Sequence, residues 1–181
     1  MLMLIALSGC ELFTLREPSQ PSDAAAWNEP ASTVELALQN LLYAYQDSRN
    51  SVNYSRIFHE NYQFYFATQD ITDFSTPAQW ERQQEQDMLF NLHGRYDSIK
   101  IDFQPLDTPD EQGANEAKLY RAYNIKAKTQ TSAREIDLAE GHTELHFLRA
   151  YDRWYLYKWK DYRSSSAGNA RTWGRLKYEN S

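Results

Sequence analysis

The chain has 181 residues, of which 41% are hydrophobic and 24% charged, with six glycines and six prolines; this composition describes one globular domain and excludes disorder. Its 25 acidic residues against 19 basic ones give a formal charge of −6, and no Lys/Arg run stands out that could neutralise a line of phosphates. Nucleic acid is thereby excluded as a partner. In chain order, Met1–Leu7 is uncharged and apolar but far short of the roughly 20 residues that a membrane-spanning helix needs. Ser8 and Gly9 then precede Cys10, the only cysteine, so no disulfide competes for its thiol. Small residues before a cysteine suit a signal peptidase that draws a slim, extended segment into its site. No positively charged stretch precedes the apolar run, which implies a start codon upstream of Met1. From Glu17 to Ser32, three prolines and little periodic hydrophobicity describe a tether, with Trp27 expected to dock on the domain.

Ser32-Thr33-Val34-Glu35 has the form of a capping box and predicts a helix running to about Arg49, with Val34, Leu38, Leu41, Leu42 and Tyr45 on its buried stripe. Tyr54, Ile57, Phe58 and Tyr62 predict a shorter second helix leading into an aromatic strand at 63–67. Thr76 as cap and Pro77 at the first helical position predict a third helix that stops at Gly94 and buries Trp80, Met88, Leu89 and Leu92. Alternation then takes over. Ile99, Ile101 and Phe103 share one face of a strand; Ala117, Leu119, Tyr123 and Ile125 share a face of the next with Arg121. Near 137–149, Leu145 and Phe147 oppose Glu140, His142, Glu144 and His146, and the last strand sets Tyr155, Tyr157 and Trp159 against Leu156, Lys158 and Lys160. The sum is an α+β domain, three N-terminal helices packed on one curved, mainly antiparallel sheet. The chain thus divides into a targeting remnant (1–9), a tether (10–31), the domain (32–163) and a C-terminal extension (164–181).

Leu7-Ser8-Gly9-Cys10 resembles the lipobox of bacterial lipoproteins. The resemblance implies that Cys10 is linked to diacylglycerol, becomes the first residue of the mature chain and is acylated on its new amine. Several acyl chains on one residue anchor stably where a single chain is marginal. Glu11 rather than Asp at mature position two implies transfer to the outer membrane. The element order from about Ser32 to Tyr162, with its closing Trp154–Asp161 strand, resembles the NTF2-like, or SnoaL-like, superfamily. That resemblance implies a cone-shaped fold. Among the superfamily's enzymes it also implies an inward Asp or His base with a Tyr donor that stabilises an enolate, as in ketosteroid isomerase or polyketide cyclases. Tyr43, Tyr45, Tyr65 and Tyr123 are candidate donors here, and His59, placed on the second helix, is either a base or an ordinary surface residue. No Asp stands unambiguously inward, so the sequence assembles no reaction centre.

His142-x-Glu144-x-His146 puts two imidazoles and a carboxylate on one strand face, a set of donors that a divalent ion accepts. Folding the last hairpin about Asp152, however, sets Glu144 opposite Lys160, His146 opposite Lys158, Leu145 opposite Trp159 and Phe147 opposite Tyr157. Cross-strand ammonium groups would repel a metal and suit a solvated face, so no metal is assigned. Arg121 is the stronger candidate, because a hairpin about Ser132 places it opposite Thr143 on the face lined by Leu119, Tyr123 and Leu145. A guanidinium there pairs either with an internal carboxylate such as Asp161 or with a ligand carboxylate or phosphate. Arg121, Tyr123, Thr143 and Tyr45 form the candidate ligand-binding set, and Cys10 is the lipidation site. The expected function is a membrane-tethered, non-catalytic binding or assembly domain of the bacterial cell envelope; the alternative is an isomerase- or cyclase-type enzyme using the cone interior. The partners expected are the membrane through lipid on Cys10, an envelope protein or small anionic ligand, and a second copy in a homodimer. No cofactor is implied. An open interior would favour the enzyme, and a packed one the binding domain.

Overall fold

The computed structural model describes residues 24–129, 132–164 and 170–181; Cys10 and the targeting remnant lie outside them. Helix α1 (Val34–Gln46) starts one residue later than expected, because Thr33 rather than Ser32 is the cap and its Oγ1 accepts the Leu36 N–H at 3.2 Å. The helix buries Val34, Ala37, Leu41, Ala44 and Tyr45, while Leu38 and Leu42 pack at the margin. It ends at Gln46 rather than near Arg49, since Asp47 is extended and its carboxylate accepts the Arg49 N–H to open a short 3₁₀ turn. The second helix is likewise shorter than expected: α2 (Ser51–Tyr54) and one further turn give way to β1 (Phe58–Tyr65). Phe58, Tyr62 and Phe64 all have the same parity, so a spacing of four that reads as one helical turn is here two steps of a strand. His59 therefore sits on a strand, half-buried, with Nδ1 accepting the Asn61 N–H at 3.2 Å.

Thr76 and Pro77 cap nothing; they follow α3 (Thr68–Phe74), a helix the sequence reading did not anticipate, and lie in a loop before β2 (Gln79–Glu81). Trp80 is buried on that strand, and α4 (Arg82–Arg95) begins only where Gln84 Oε1 accepts the Glu81 N–H at 3.1 Å. Met88, Leu89 and Leu92 are buried as expected, with Glu85 in the same row.

The remaining strands are β3 (Tyr96–Pro105), β4 (Glu111–Gln112), β5 (Glu116–Thr129), β6 (Ser132–Ala150) and β7 (Arg153–Tyr162). Among the described residues they form one sheet with β1 and β2, in the order β2-β1-β7-β6-β5-β3, with β4 paired to β5. Only β1 and β7 run parallel. Ser132 is not the pivot of the β5–β6 hairpin, since it pairs with Thr129, but two register shifts along the ladder still align Arg121 with Thr143 and Leu119 with Leu145; the hairpin about Asp152 aligns Glu144 with Lys160 and His146 with Lys158. Beyond that point the register slips, and Phe147 faces Leu156 instead of Tyr157. Tyr157 is the extra residue of this bulge, which changes the phase of the strand. Trp154 and Leu156 before it, and Trp159 and Asp161 after it, all end up buried, whereas Tyr155 and Tyr157 are only half-buried.

The space between the helices and the sheet is filled from both ends of the chain. Ala31 is buried, Trp27 packs against the core, and Asn40 on α1 holds the Asn28 backbone through two bonds of 2.8 and 2.9 Å. At the other end α5 (Trp173–Tyr178) buries Trp173, Leu176 and Lys177 completely. The Trp173 ring packs against Tyr45 of α1, Phe103 of β3, Tyr123 of β5 and Trp159 of β7. The segment set apart as a C-terminal extension is thus part of the core, and so is the end of the segment read as tether.

Candidate functional site

The interior of the cone is a polar cluster inside an aromatic shell. Four donors converge on Glu85, three on Oε1 and one on Oε2: the hydroxyls of Tyr62 and Tyr54 at 2.8 Å each, to Oε1 and Oε2 respectively, and Trp80 Nε1 at 2.9 Å and Lys177 Nζ at 2.5 Å, both to Oε1. Three of those donors come from the body of the domain and one from α5. Both members of the Lys177–Glu85 ion pair are wholly buried, and the ammonium also lies 3.5 Å from the Trp159 ring centroid and 4.0 Å from that of Phe64. Burial pulls the Lys177 ammonium down to about 8 against the opposing attraction of Glu85.

A second carboxylate, Asp161, lies on β7 just past the bulge. It accepts the Tyr123 hydroxyl at 2.7 Å and the Gly174 N–H at 2.6 Å. Tyr123 accepts the Trp173 N–H at 2.7 Å in turn, and the Trp173 indole donates to the Tyr45 hydroxyl at 2.9 Å. Burial pushes the Asp161 carboxyl up to about 7 and the Tyr123 phenol well above its ordinary range. Tyr123 reaches this position because its cross-strand neighbour is Gly141, where an added Cβ would stand 2.5 Å from the phenol oxygen. A third buried carboxylate, Asp70 of α3, accepts from the Thr172 hydroxyl and from Arg163 Nη2 at 2.7 Å.

Two of the four predicted ligand-binding residues belong to this cluster. Tyr45 and Tyr123 meet through Trp173, but the partner there is the chain itself. Thr143 is buried and donates to the Lys160 carbonyl at 3.0 Å, a bond that holds β6 to β7. Arg121 pairs neither with Asp161 nor with open space: its two terminal nitrogens grip Asp110, in the loop before β4, at 2.6 Å each. The guanidinium holds the Asp110 carboxyl below the usual carboxylate range. An arginine that alternation places among apolar residues thus reaches the sheet edge and finds a loop carboxylate.

Of the other candidate donors, Tyr65 bonds Gln63 at 2.5 Å and Tyr43 is half-buried on α1. Glu144 takes Lys160 Nζ at 3.2 Å and the Tyr162 hydroxyl at 2.9 Å, with His146 Nε2 at 2.5 Å. The face expected to be solvated is partly closed, because Tyr157 packs edge-on against the His146 ring. His146 is buried, which lowers its pKa against the pull of Glu144.

The residues that sequence reasoning missed carry readable signals. Glu85 precedes Met88, Leu89 and Leu92 by three, four and seven residues, which puts it on their helical row. Trp173, Leu176 and Lys177 repeat the same spacing. Each spacing sets a charge on an apolar row, and a charge buried there requires a partner.

No protein-family model and no curated protein matches the sequence. Solved structures do resemble it. A conserved protein from Planctomyces limnophilus is 12% identical with a TM-score of 0.57, over 70% of this chain and 90% of that one. The Kfla4162 protein from Kribbella flavida is 10% identical with a TM-score of 0.53, over 78% and 91%. A hexachlorocyclohexane dehydrochlorinase, LinA Type2, is 11% identical with a TM-score of 0.52, over 70% and 80%. At these identities the likeness is one of fold, and the fold is the NTF2-like cone.

Proposed function

We propose that this chain is a non-catalytic binding or assembly domain of the bacterial cell envelope, tethered to the outer membrane by lipid on Cys10. The observation that carries the non-catalytic reading is the filled cone. Trp173, Leu176 and Lys177 take up the space in which a small substrate would have to sit, and Glu85, Asp161, Tyr45 and Tyr123 inside it are engaged by the chain's own atoms. The tether reading rests on Leu7-Ser8-Gly9-Cys10 and on the proline-containing stretch that follows.

The isomerase or cyclase alternative has one observation in its favour. Asp161 and Tyr123 form a buried carboxyl–phenol pair, and a carboxyl raised to about 7 suits proton transfer near neutrality. Yet the backbone N–H groups of Gly174 and Trp173 occupy both partners, so a substrate would have to displace a peptide to reach them.

Tethering is tested directly. With a basic n-region supplied ahead of Met1, the precursor expressed in bacteria should incorporate a palmitate label and fractionate with the outer membrane, and Cys10→Ser should do neither. Label retained by that variant overturns the anchor.

A further inference from the structure

We infer that the cone interior is a receptor for a Trp-Gly-x-x-Lys segment, and that in an assembly the C-terminal arm of a second copy, residues 170–181, takes the place held here by the chain's own arm. This deepens the binding-domain reading and rests on it.

The body builds the receptor without help from the arm. Glu85 is already held by Tyr54, Tyr62 and Trp80, at distances of 2.8–2.9 Å, and the position beside it that the Lys177 ammonium takes lies over the rings of Trp159 and Phe64. A preset carboxylate walled by aromatic faces is an ammonium site. One helical turn away, Tyr45 accepts an indole N–H, and Trp159 stands edge-on to the indole at a centroid distance of 4.5 Å. Between these two pockets the wall closes. A Cβ at position 174 would meet Phe66 Cδ1 at 3.0 Å, Asp161 Oδ2 at 3.1 Å and Phe64 Cε1 at 3.2 Å, so only glycine follows the tryptophan without displacing the wall. The receptor therefore reads an indole, a residue without a side chain and an ammonium, in that order along one helical turn.

The sheet, for its part, is complete without the arm. None of the strands comes from residues 170–181, and among the described residues arm and sheet share one backbone-to-backbone bond, Glu140 N–H to the Arg171 carbonyl at 2.9 Å. The segment is held through the Trp173 indole, the bare Gly174 and the Lys177 ammonium, a sequence that this chain's own arm supplies. An identical arm from another protomer makes identical contacts, the condition under which segments exchange. Confinement to a membrane surface would raise the concentration of arms around each cone.

Two measurements on the full-length chain test this. In the first, a protease site is placed between positions 164 and 170; after cleavage, a fluorescent peptide of residues 170–181 is added. One label per body should exchange in, and unlabelled peptides carrying Lys177→Met or Gly174→Ala should compete at least about tenfold less well than the unsubstituted peptide. In the second, Cys10 is replaced by serine and the single variants Glu140→Cys and Arg171→Cys are mixed under oxidation. An interchain disulfide between them, suppressed by excess 170–181 peptide, reports an arm received from a second copy. A cleaved body that takes up no label overturns the receptor. Label uptake with no interchain disulfide overturns the second copy as occupant. Either failure leaves the palmitate result standing, and a failed palmitate experiment leaves both of these standing.

Discussion

A lysine with no exposed side chain, 2.5 Å from an equally buried glutamate, concentrates much of the domain's electrostatic risk at one point. Removing one member of such a pair strands the other charge, at about 3–5 kcal/mol. Lys177→Met is therefore expected to lose about that much in urea denaturation. Adding Glu85→Gln should recover part of the loss, because the amide carries no charge, its oxygen can still accept from Tyr62 and Trp80, and the Tyr54 hydroxyl can turn to accept from its NH2. A double variant no more stable than the single one would mean that the loss is packing and not charge. Asp161 offers a second test. Its carboxyl lies at about 7 when folded against 3.8 when exposed, so between those values the folded state keeps a proton that the unfolded chain has released. The stability held by the protonated form is thus complete below pH 4 and is lost as pH climbs to 7, on the order of a few kcal/mol. Asp161→Asn cannot titrate, so the advantage of wild type over this variant should shrink across that window and level off above it. Parallel profiles from pH 4 to 7 would overturn the assignment.

At the level of elements, the sequence was most legible where strands alternate without interruption. The 3.6-residue and two-residue periods of Val34–Tyr45 and of the strands at β3 and β5 locate those elements, and simple hairpin arithmetic yields the β5–β6 register at Arg121 and Thr143. Legibility fails where one local rule admits two structures. Phe58 and Tyr62 satisfy a helical spacing and a strand parity at once, and pairing with β7 decides for the strand. Thr76-Pro77 is a good helix start in isolation, but Glu81 and Gln84 provide a better one nearer the apolar row of α4. The bulge at Tyr157 is invisible to any period-two reading, and it is what lets Trp154 and Leu156 on one parity and Trp159 and Asp161 on the other all be buried. The interior site was hidden for the same reason, since two of its key groups, Glu85 and Lys177, are charges on short helical rows. Read alone, such rows resemble solvated faces. Only the meeting of α4 with α5, residues 92 apart in sequence, shows that each charge answers the other.

At the scale of the whole molecule, residues 24–31 and the C-terminal arm are both structural, and this sets how the domain would hang from a membrane. On the proposed anchoring, positions 10–23 could span at most about 50 Å when fully extended, less than the reach expected for a tether running to Ser32, because the described residues from 24 on already pack against the domain. The boundary can be tested by truncation. A chain starting at Ala24 retains the Ala31 carbonyl that accepts the Trp154 N–H at 2.9 Å, the Asn28 backbone that satisfies the buried Asn40 amide, and Glu29 beside Arg153 and Arg56. A chain starting at Ser32 loses all three. Buried polar groups deprived of their partners are destabilised by about 1–3 kcal/mol each, at the lower end where water can enter in place of the missing segment. The Ser32 start should therefore be about 2–4 kcal/mol less stable, a loss of roughly 4–16 °C in melting temperature for a domain of this size. Asn40→Leu should narrow that gap, because the leucine leaves no amide to be orphaned. Equal melting of the Ala24 and Ser32 forms would return residues 24–31 to the tether and lengthen the reach of the domain from the membrane accordingly.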